Sequence, residues 1–196
     1  MLNKSDISKN KAKYLDLLKT VKREGIMELV EYLENKTDFF SAPASTRFHG
    51  SYEGGLCEHS LGVYYNLVTL NEAFHVGINE DSLKIVALLH DLSKCLFYEK
   101  YMKNVKVDGQ WVQEEHYKVR DRSQRFIYAS HEQTSLFIAQ QFIPITIEEQ
   151  VSILSHHGGV DKNGLQTDIV SDIYATYELP KYLHFADLID ANQKYE

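Results

Sequence analysis

Disulfide chemistry is the first thing this chain cannot support. Its 196 residues hold two cysteines, Cys57 and Cys95, both in apolar surroundings. That is too few for a disulfide framework and suits reduced thiols in a cytoplasmic setting. Long apolar runs are missing too: no stretch approaches the roughly 18 uninterrupted apolar residues of a membrane span, so none is expected. The opening MLNKSDISKNKAK carries lysines with no apolar segment behind them, so no secretory signal is expected either. Positive charge is in deficit, with 21 Lys and Arg against 28 Asp and Glu and a net charge of −7. This argues against broad electrostatic capture of nucleic acid, although bound divalent cations would reverse the sign locally. Internal repeats and low-complexity segments are absent. With 43% apolar residues, the chain has the composition of a soluble globular protein long enough for one domain with a real core.

The stretch that organises the rest is Leu83–Lys94, LKIVALLHDLSK. Seven of the eight residues before Asp91 are Leu, Ile, Val, Ala or His, the pattern of a buried segment. It carries His90 and Asp91 into the interior side by side. A carboxylate buried without a partner costs on the order of several kcal/mol. A metal cation, taken up by imidazole and carboxylate together, is the simplest partner. The bland alternative is a chance dipeptide at a helix end.

Other motifs weigh against chance. His59 lies in GGLCEHSLGV, His131 in SHEQTS, His156 and His157 in LSHHGG, and Asp187 in HFADLIDA. In this order and these contexts, residues 39–192 resemble the HD-domain metal-dependent phosphohydrolases, whose pattern is H…HD…D with further histidines in a dinuclear subset. The contexts look closest to phage and bacterial HD hydrolases and to the HD domain of bacterial 3′–5′ exoribonucleases. The resemblance implies that His59, His90, Asp91 and Asp187 hold one divalent transition metal (Mn, Fe, Co, Ni or Zn). It also implies that Asp91 bridges to a second ion held with His131, His156 and His157. HDLSK departs from the family's HDxGK-like form at Ser93. Lys94 would then carry a catalytic role beside Asp91, as a point charge for a phosphoryl oxygen.

The activity so implied is hydrolysis of a phosphoester, in a nucleotide or a short nucleic-acid end, by metal-activated water. An HD-type diiron oxygenase fits a similar ligand set, and so does a nucleotide-binding or regulatory protein without turnover, though the complete ligand set weighs against the latter. A cyclic-dinucleotide phosphodiesterase of the HD-GYP type does not fit, because GGVDKNG follows the two histidines. No serine or cysteine nucleophile is required, so Cys57 and Cys95 read as structural.

The remaining pattern places these groups. Residues 5–35 read as two packing helices broken at Gly25, so residues 1–36 form a helical extension and 37–196 the HD core. Pro43 and glycines punctuate residues 37–55. There Phe39, Phe40 and Phe48 are expected to anchor the chain, while Arg47 and His49 could reach a substrate phosphate. A helix from Glu58 to Phe74 would carry His59 in its first turn. Asp108-Gly109 between alternating runs signals a hairpin over about 98–119. It is expected at the mouth of the site, with Tyr98, Tyr101, Trp111 and Tyr117 offering aromatic surface and His116 outside the ligand pattern. Ser130 and the box Thr146–Glu149 open two helices, and Gly158-Gly159 stop the second after His156. Pro180 opens the last helix, where Asp190 lies near Asp187 and could partner a ligand, while His184 reads as packing. The expected fold is mainly α: an HD-type helical bundle with one inserted β-hairpin.

Overall fold

The computed structural model describes residues 2–125, 129–159 and 167–193. In chain order these form α1 (Lys4–Lys19), α2 (Ile26–Asn35), α3 (Gly55–Ala73), α4 (Glu80–Leu89), the antiparallel pair β1 (Tyr98–Val107) and β2 (Gln110–Val119), α5 (His131–Gln140), α6 (Ile147–Ser155), α7 (Asp168–Thr176) and α8 (Glu178–Asn192). Short 3-10 turns lie at Leu92–Lys94 and Arg122–Gln124. The protein is thus mainly helical with one hairpin, as its sequence pattern suggests.

Helix α4 explains the arrangement. Asn79 caps it by accepting the Asp81 N–H, a standard way to satisfy an orphan donor. Beyond the cap, every residue from Leu83 to Leu89 is buried, Lys84 included, because α4 is apolar on all sides and must be surrounded. Helices α1, α3, α5, α6 and α8 all pack on it. Its last carbonyls would be orphans in an apolar interior. One of them, Leu88 O, accepts a 2.7 Å bond from the Tyr14 hydroxyl of α1. The Tyr14 ring packs on Phe39 and Phe40, centroids 4.7 and 5.5 Å away. The N-terminal helices therefore pack, as expected, and what they support is the end of α4 that carries His90 and Asp91.

Two expectations need correction. Helix α3 begins at Gly55, not Glu58, so His59 lies in its second turn and is buried rather than at an element end. The reason is local: a Cβ on Gly55 would stand 2.1 Å from Gly50 O. The glycine lets the preceding loop fold onto the helix start, where Ala44 N donates to Gly50 O. Phe48 does not anchor that loop; it is 83% exposed, while Phe39 and Phe40 do the anchoring.

The hairpin turns at Asp108 and Gly109, both with positive φ (49° and 86°), as a two-residue primed turn requires. One face is tied to the helical body by Lys100–Glu53 (2.9 Å) and by Arg120, which reaches Asp38 at 3.5 Å and donates to Tyr98 O at 2.7 Å. The capping boxes at Ser130/Gln133 and Thr146/Glu149 both form.

Candidate metal centre

Five imidazoles and two carboxylates converge from separate elements. His59 comes from α3, His90 and Asp91 from the end of α4, His131 from the start of α5, His156 and His157 from the end of α6, and Asp187 from α8. Three triads each place a ligand atom from every member within 4.8 Å of the others: His59, His90 and Asp187; His90, Asp91 and His156; His131, His156 and His157. Every sequence-predicted metal candidate is therefore in the cluster.

The protein holds the five rings alike. Nδ1 of His59 meets Asp190 Oδ2 at 2.6 Å, Nδ1 of His90 meets Ala87 O at 2.9 Å, and Nδ1 of His156 meets Ile153 O at 2.6 Å. Nδ1 of His157 meets Glu132 Oε1 at 2.8 Å, and Nδ1 of His131 meets Ser93 Oγ. Carbonyls and carboxylates only accept, so at His59, His90, His156 and His157 the proton sits on Nδ1 and, in the neutral ring, the lone pair on Nε2. Those Nε2 atoms face one another: His59 and His90 at 3.3 Å, and His156 Nε2 buried with no hydrogen-bond partner. Packing alone does not explain lone pairs turned inward in this way. A bound cation does, since metal-ligating histidines are oriented by a partner on the other nitrogen.

Asp91 divides the cluster. Its Oδ1 faces His131 Nε2 at 2.6 Å and His156 Nε2 at 4.0 Å. Its Oδ2 faces Lys94 Nζ at 2.6 Å, His90 at 3.4 Å and His59 at 3.5 Å. Asp187 Oδ1 closes the second group, 3.1 Å from His59 and 3.9 Å from His90. One carboxylate thus presents one oxygen to each of two donor groups, the arrangement of a bridging ligand. The helix break makes this possible. Helix α4 stops at Leu89, and Asp91 leaves helical geometry (φ −108°, ψ 19°) before the 3-10 turn that swings Lys94 onto it. The helix does not continue through Lys94.

Electrostatics follow from crowding charges in the interior. Burial pushes His90 down and His156 to about 3, keeping both neutral, the form a metal needs. His59 is the exception: burial lowers it, but the carboxylates of Asp187, Asp190 and Asp91 outweigh burial and hold it well above the usual range. Burial opposes ionisation of Asp91, yet Lys94, His90 and His131 keep it well below the carboxylate norm.

The substrate candidates flank this centre. The His49 ring packs 4.6 Å from the His59 ring, and its Nε2 is buried without a hydrogen-bond partner; burial foremost lowers its pKa to about 4. Arg47, two residues away, faces a cleft of about 560 Å³ between its loop and the hairpin. The hairpin therefore faces the loop that carries Arg47. Tyr101 and Tyr117 line that cleft, whereas Trp111 is 72% exposed and does not. His184 donates from Nδ1 to His156 O at 2.6 Å and stands where a Cβ on Gly158 would be, a packing role as expected.

Some partners could be read from sequence and some could not. Asp190 falls one helical turn from Asp187. Ser93 stands out as the departure from the HDxGK-like form. Glu132 was invisible: it adjoins His131, but nothing local says that it reaches His157.

The family model for the HD domain matches residues 56–192. The chain belongs to the HD-domain family. As an HD-domain protein it places its His-Asp pair at the end of a buried helix, with every further donor in the matched span. A curated relative, the dihydroneopterin 2′,3′-cyclic phosphate phosphodiesterase of Methanocaldococcus jannaschii, is 42% identical over 57 residues, 27% of this chain and 23% of that protein. The match thus spans less than a quarter of the relative's length. No solved structure gives a significant match. Among the described residues, no helix is long and apolar enough to cross a membrane.

Proposed function

We propose that this HD-domain protein is a metal-dependent phosphohydrolase that cleaves a phosphoester of a nucleotide or nucleic-acid end. The observation that carries the reading is the divided Asp91 carboxylate, one oxygen toward each of two groups of inward-facing Nε2 atoms. His59, His90, Asp91 and Asp187 would hold one divalent transition ion; Asp91, His131 and His156, with His157, would hold a second. Bound there, such ions supply a water acidic enough to attack phosphorus near neutral pH and positive charge toward the phosphoryl oxygens.

The remaining roles belong to the chain. Lys94, its ammonium held by Asp91, supplies a fixed cation for a phosphoryl oxygen. His49 presents a buried ring nitrogen with no competing hydrogen-bond partner and would donate to the substrate. Arg47 offers a planar fork to a phosphate. Residues 1–36 serve as a helical brace on the HD core. The relative's activity on a cyclic phosphate, as its name gives it, supports the phosphoester class.

Metal analysis of the purified protein, followed by hydrolysis of bis(p-nitrophenyl) phosphate and a nucleotide panel, tests this. Zinc is redox-silent, so turnover sustained by zinc separates a hydrolase from a diiron oxygenase. Bound metal without turnover of any phosphoester would overturn the proposal.

A further inference from the structure

The cleft between the Arg47 loop and the hairpin has a composition of its own. Its walls are the loop around Arg47 and the hairpin residues Tyr101, Lys103, His116, Tyr117 and Lys118. Among the described residues no carboxylate lines it, although the chain carries a net charge of −7.

The hairpin's register explains the concentration. Cross-strand partners share a face, and Tyr101 pairs with His116. Alternation then puts Tyr101, Lys103, His116 and Lys118 on one face of the ribbon and Lys100 and Tyr117 on the other. The second face is tied to the helical body through Lys100–Glu53; the first supplies four of the six hairpin residues that line the cleft, and Tyr117 and Val119 of the second supply the others. Two acids share that first face, and both are turned to neighbours: Glu99 pairs with Lys118 at 3.0 Å and Glu114 with His116 at 3.4 Å. Lys103 stands opposite Glu114 in register, yet the carboxylate goes to the imidazole.

We propose that this cleft seats the part of the substrate beyond the scissile phosphate. A base would lie against Tyr101 or Tyr117 and a second phosphate against Arg47 and Lys103, so the preferred substrate is a short single strand, not a mononucleotide. The proposal rests on the phosphohydrolase reading above and names its substrate class. Cationic side chains interleaved with aromatic rings suit a single strand, because any base can stack and the cations follow the backbone. His49 packs on His59, and Arg47 lies within about 8 Å of His49 along the backbone, at 3.8 Å per residue.

The test uses the full chain with chelator present, so that binding is read without turnover. Fluorescein-labelled pentathymidylate is titrated by anisotropy at several salt concentrations, with thymidine 5′-monophosphate as competitor. Wild type should prefer the pentamer to the monophosphate by at least about tenfold. Lys103→Ala, an exposed strand substitution checked for folding by circular dichroism, should weaken pentamer binding about tenfold. It should also reduce the log–log salt slope by about 0.7, the value for one phosphate contact on a single strand. Tyr101→Ala should weaken binding with the slope kept. Equal competition by the monophosphate, or an unchanged affinity in both variants, overturns the proposal. In the metal-loaded enzyme, Lys103→Ala should also lower the ratio of kcat/KM for pentathymidylate to that for bis(p-nitrophenyl) phosphate about tenfold. If wild type hydrolyses neither compound, the phosphohydrolase reading fails while anisotropy still decides the cleft.

Discussion

Two fully buried carboxylates in this protein are treated in opposite ways. Glu149 sits at the start of α6 and is closed off by donors. Arg23 binds it with two bonds (2.7 and 3.2 Å), Ser82 donates at 2.8 Å, and the Thr146 N–H donates at 2.8 Å. It ties the α1–α2 connection, the start of α4 and the start of α6 into one knot. Asp91 has a single lysine and a ring of imidazoles, several of which offer lone pairs rather than protons. The Glu149 knot is complete with protein atoms alone, whereas the Asp91 centre has more acceptors than donors, a balance that a cation would complete. Burial and charge are the same in the two places; the balance of donors and acceptors separates architecture from site.

Paired substitutions give the sharpest test. Asp91→Ala should abolish metal retention and cut phosphoester turnover at least a thousandfold, about 4 kcal/mol at 1.36 kcal/mol per tenfold, with melting shifted little from that of chelator-treated wild type. Glu149→Ala should do the reverse. Removing one partner of a buried pair costs about 3–5 kcal/mol, so melting should fall by roughly 10 °C at the 2–4 °C per kcal/mol of a chain this size, with metal per chain retained. Metal content and melting temperature, measured on both variants, check the comparison. An Asp91→Ala protein that keeps its metal would erase the distinction.

Metal removal probes the same asymmetry. Chelation should lower the melting temperature of wild type, and manganese at 100 times its dissociation constant should restore about 2.7 kcal/mol. Asp91→Ala should show no manganese response, while Glu149→Ala should respond like wild type from its lower baseline. A scanning calorimeter reads all of these.

How far sequence carried this comparison differs between the two carboxylates. The Asp91 centre was legible because each donor announces itself locally: HDLSK after an apolar run, SHHGG at a helix stop, Asp187 and Asp190 one turn apart. The Glu149 knot was only half legible. Thr146–Glu149 reads as a capping box, but Arg23 lies 126 residues away, and no local pattern links them. Phe48 and the start of α3 were misread for a related reason. Both depend on how closely one backbone segment approaches another, at Gly50 and Gly55, which periodicity does not encode. The hairpin was legible because Asp108-Gly109 demands its turn locally, though the face it buries was not.

His131→Ala asks whether Asp91 bridges. With two ions, the substitution should reduce metal from two per chain to one and cost roughly a hundredfold in turnover, about 2.7 kcal/mol. A stoichiometry of one per chain in both proteins would assign His131 to substrate or packing, leaving the Asp91 Oδ1 side without an ion. Metal counting at matched pH on wild type and variant decides it.

The smallest effect should come from a third carboxylate, Glu132, which tests whether the comparison predicts roles at a new position. Glu132 lies in the first turn of α5 and accepts from Nδ1 of His157 at 2.8 Å. The bond to His157, ahead of burial, holds its carboxyl far below the usual range, and the same bond raises His157. The pair is partly exposed, with side chains 51% and 22% accessible, so its contribution to stability is screened and should not exceed about 1 kcal/mol. Its effect should fall on the His157 ring, whose centroid lies 5.3 Å from that of His131 and 4.0 Å from that of His156. Glu132→Gln keeps the shape and offers a neutral carbonyl in place of the carboxylate. It should leave melting within a degree or two, while affinity for the second ion falls about tenfold, the lower end for partners of metal-bound histidines. The first ion should bind as in wild type. If Glu132→Gln instead lowers melting by several degrees and leaves the metal titration untouched, Glu132 belongs with Glu149 as architecture, and His157 is not a donor to the second ion.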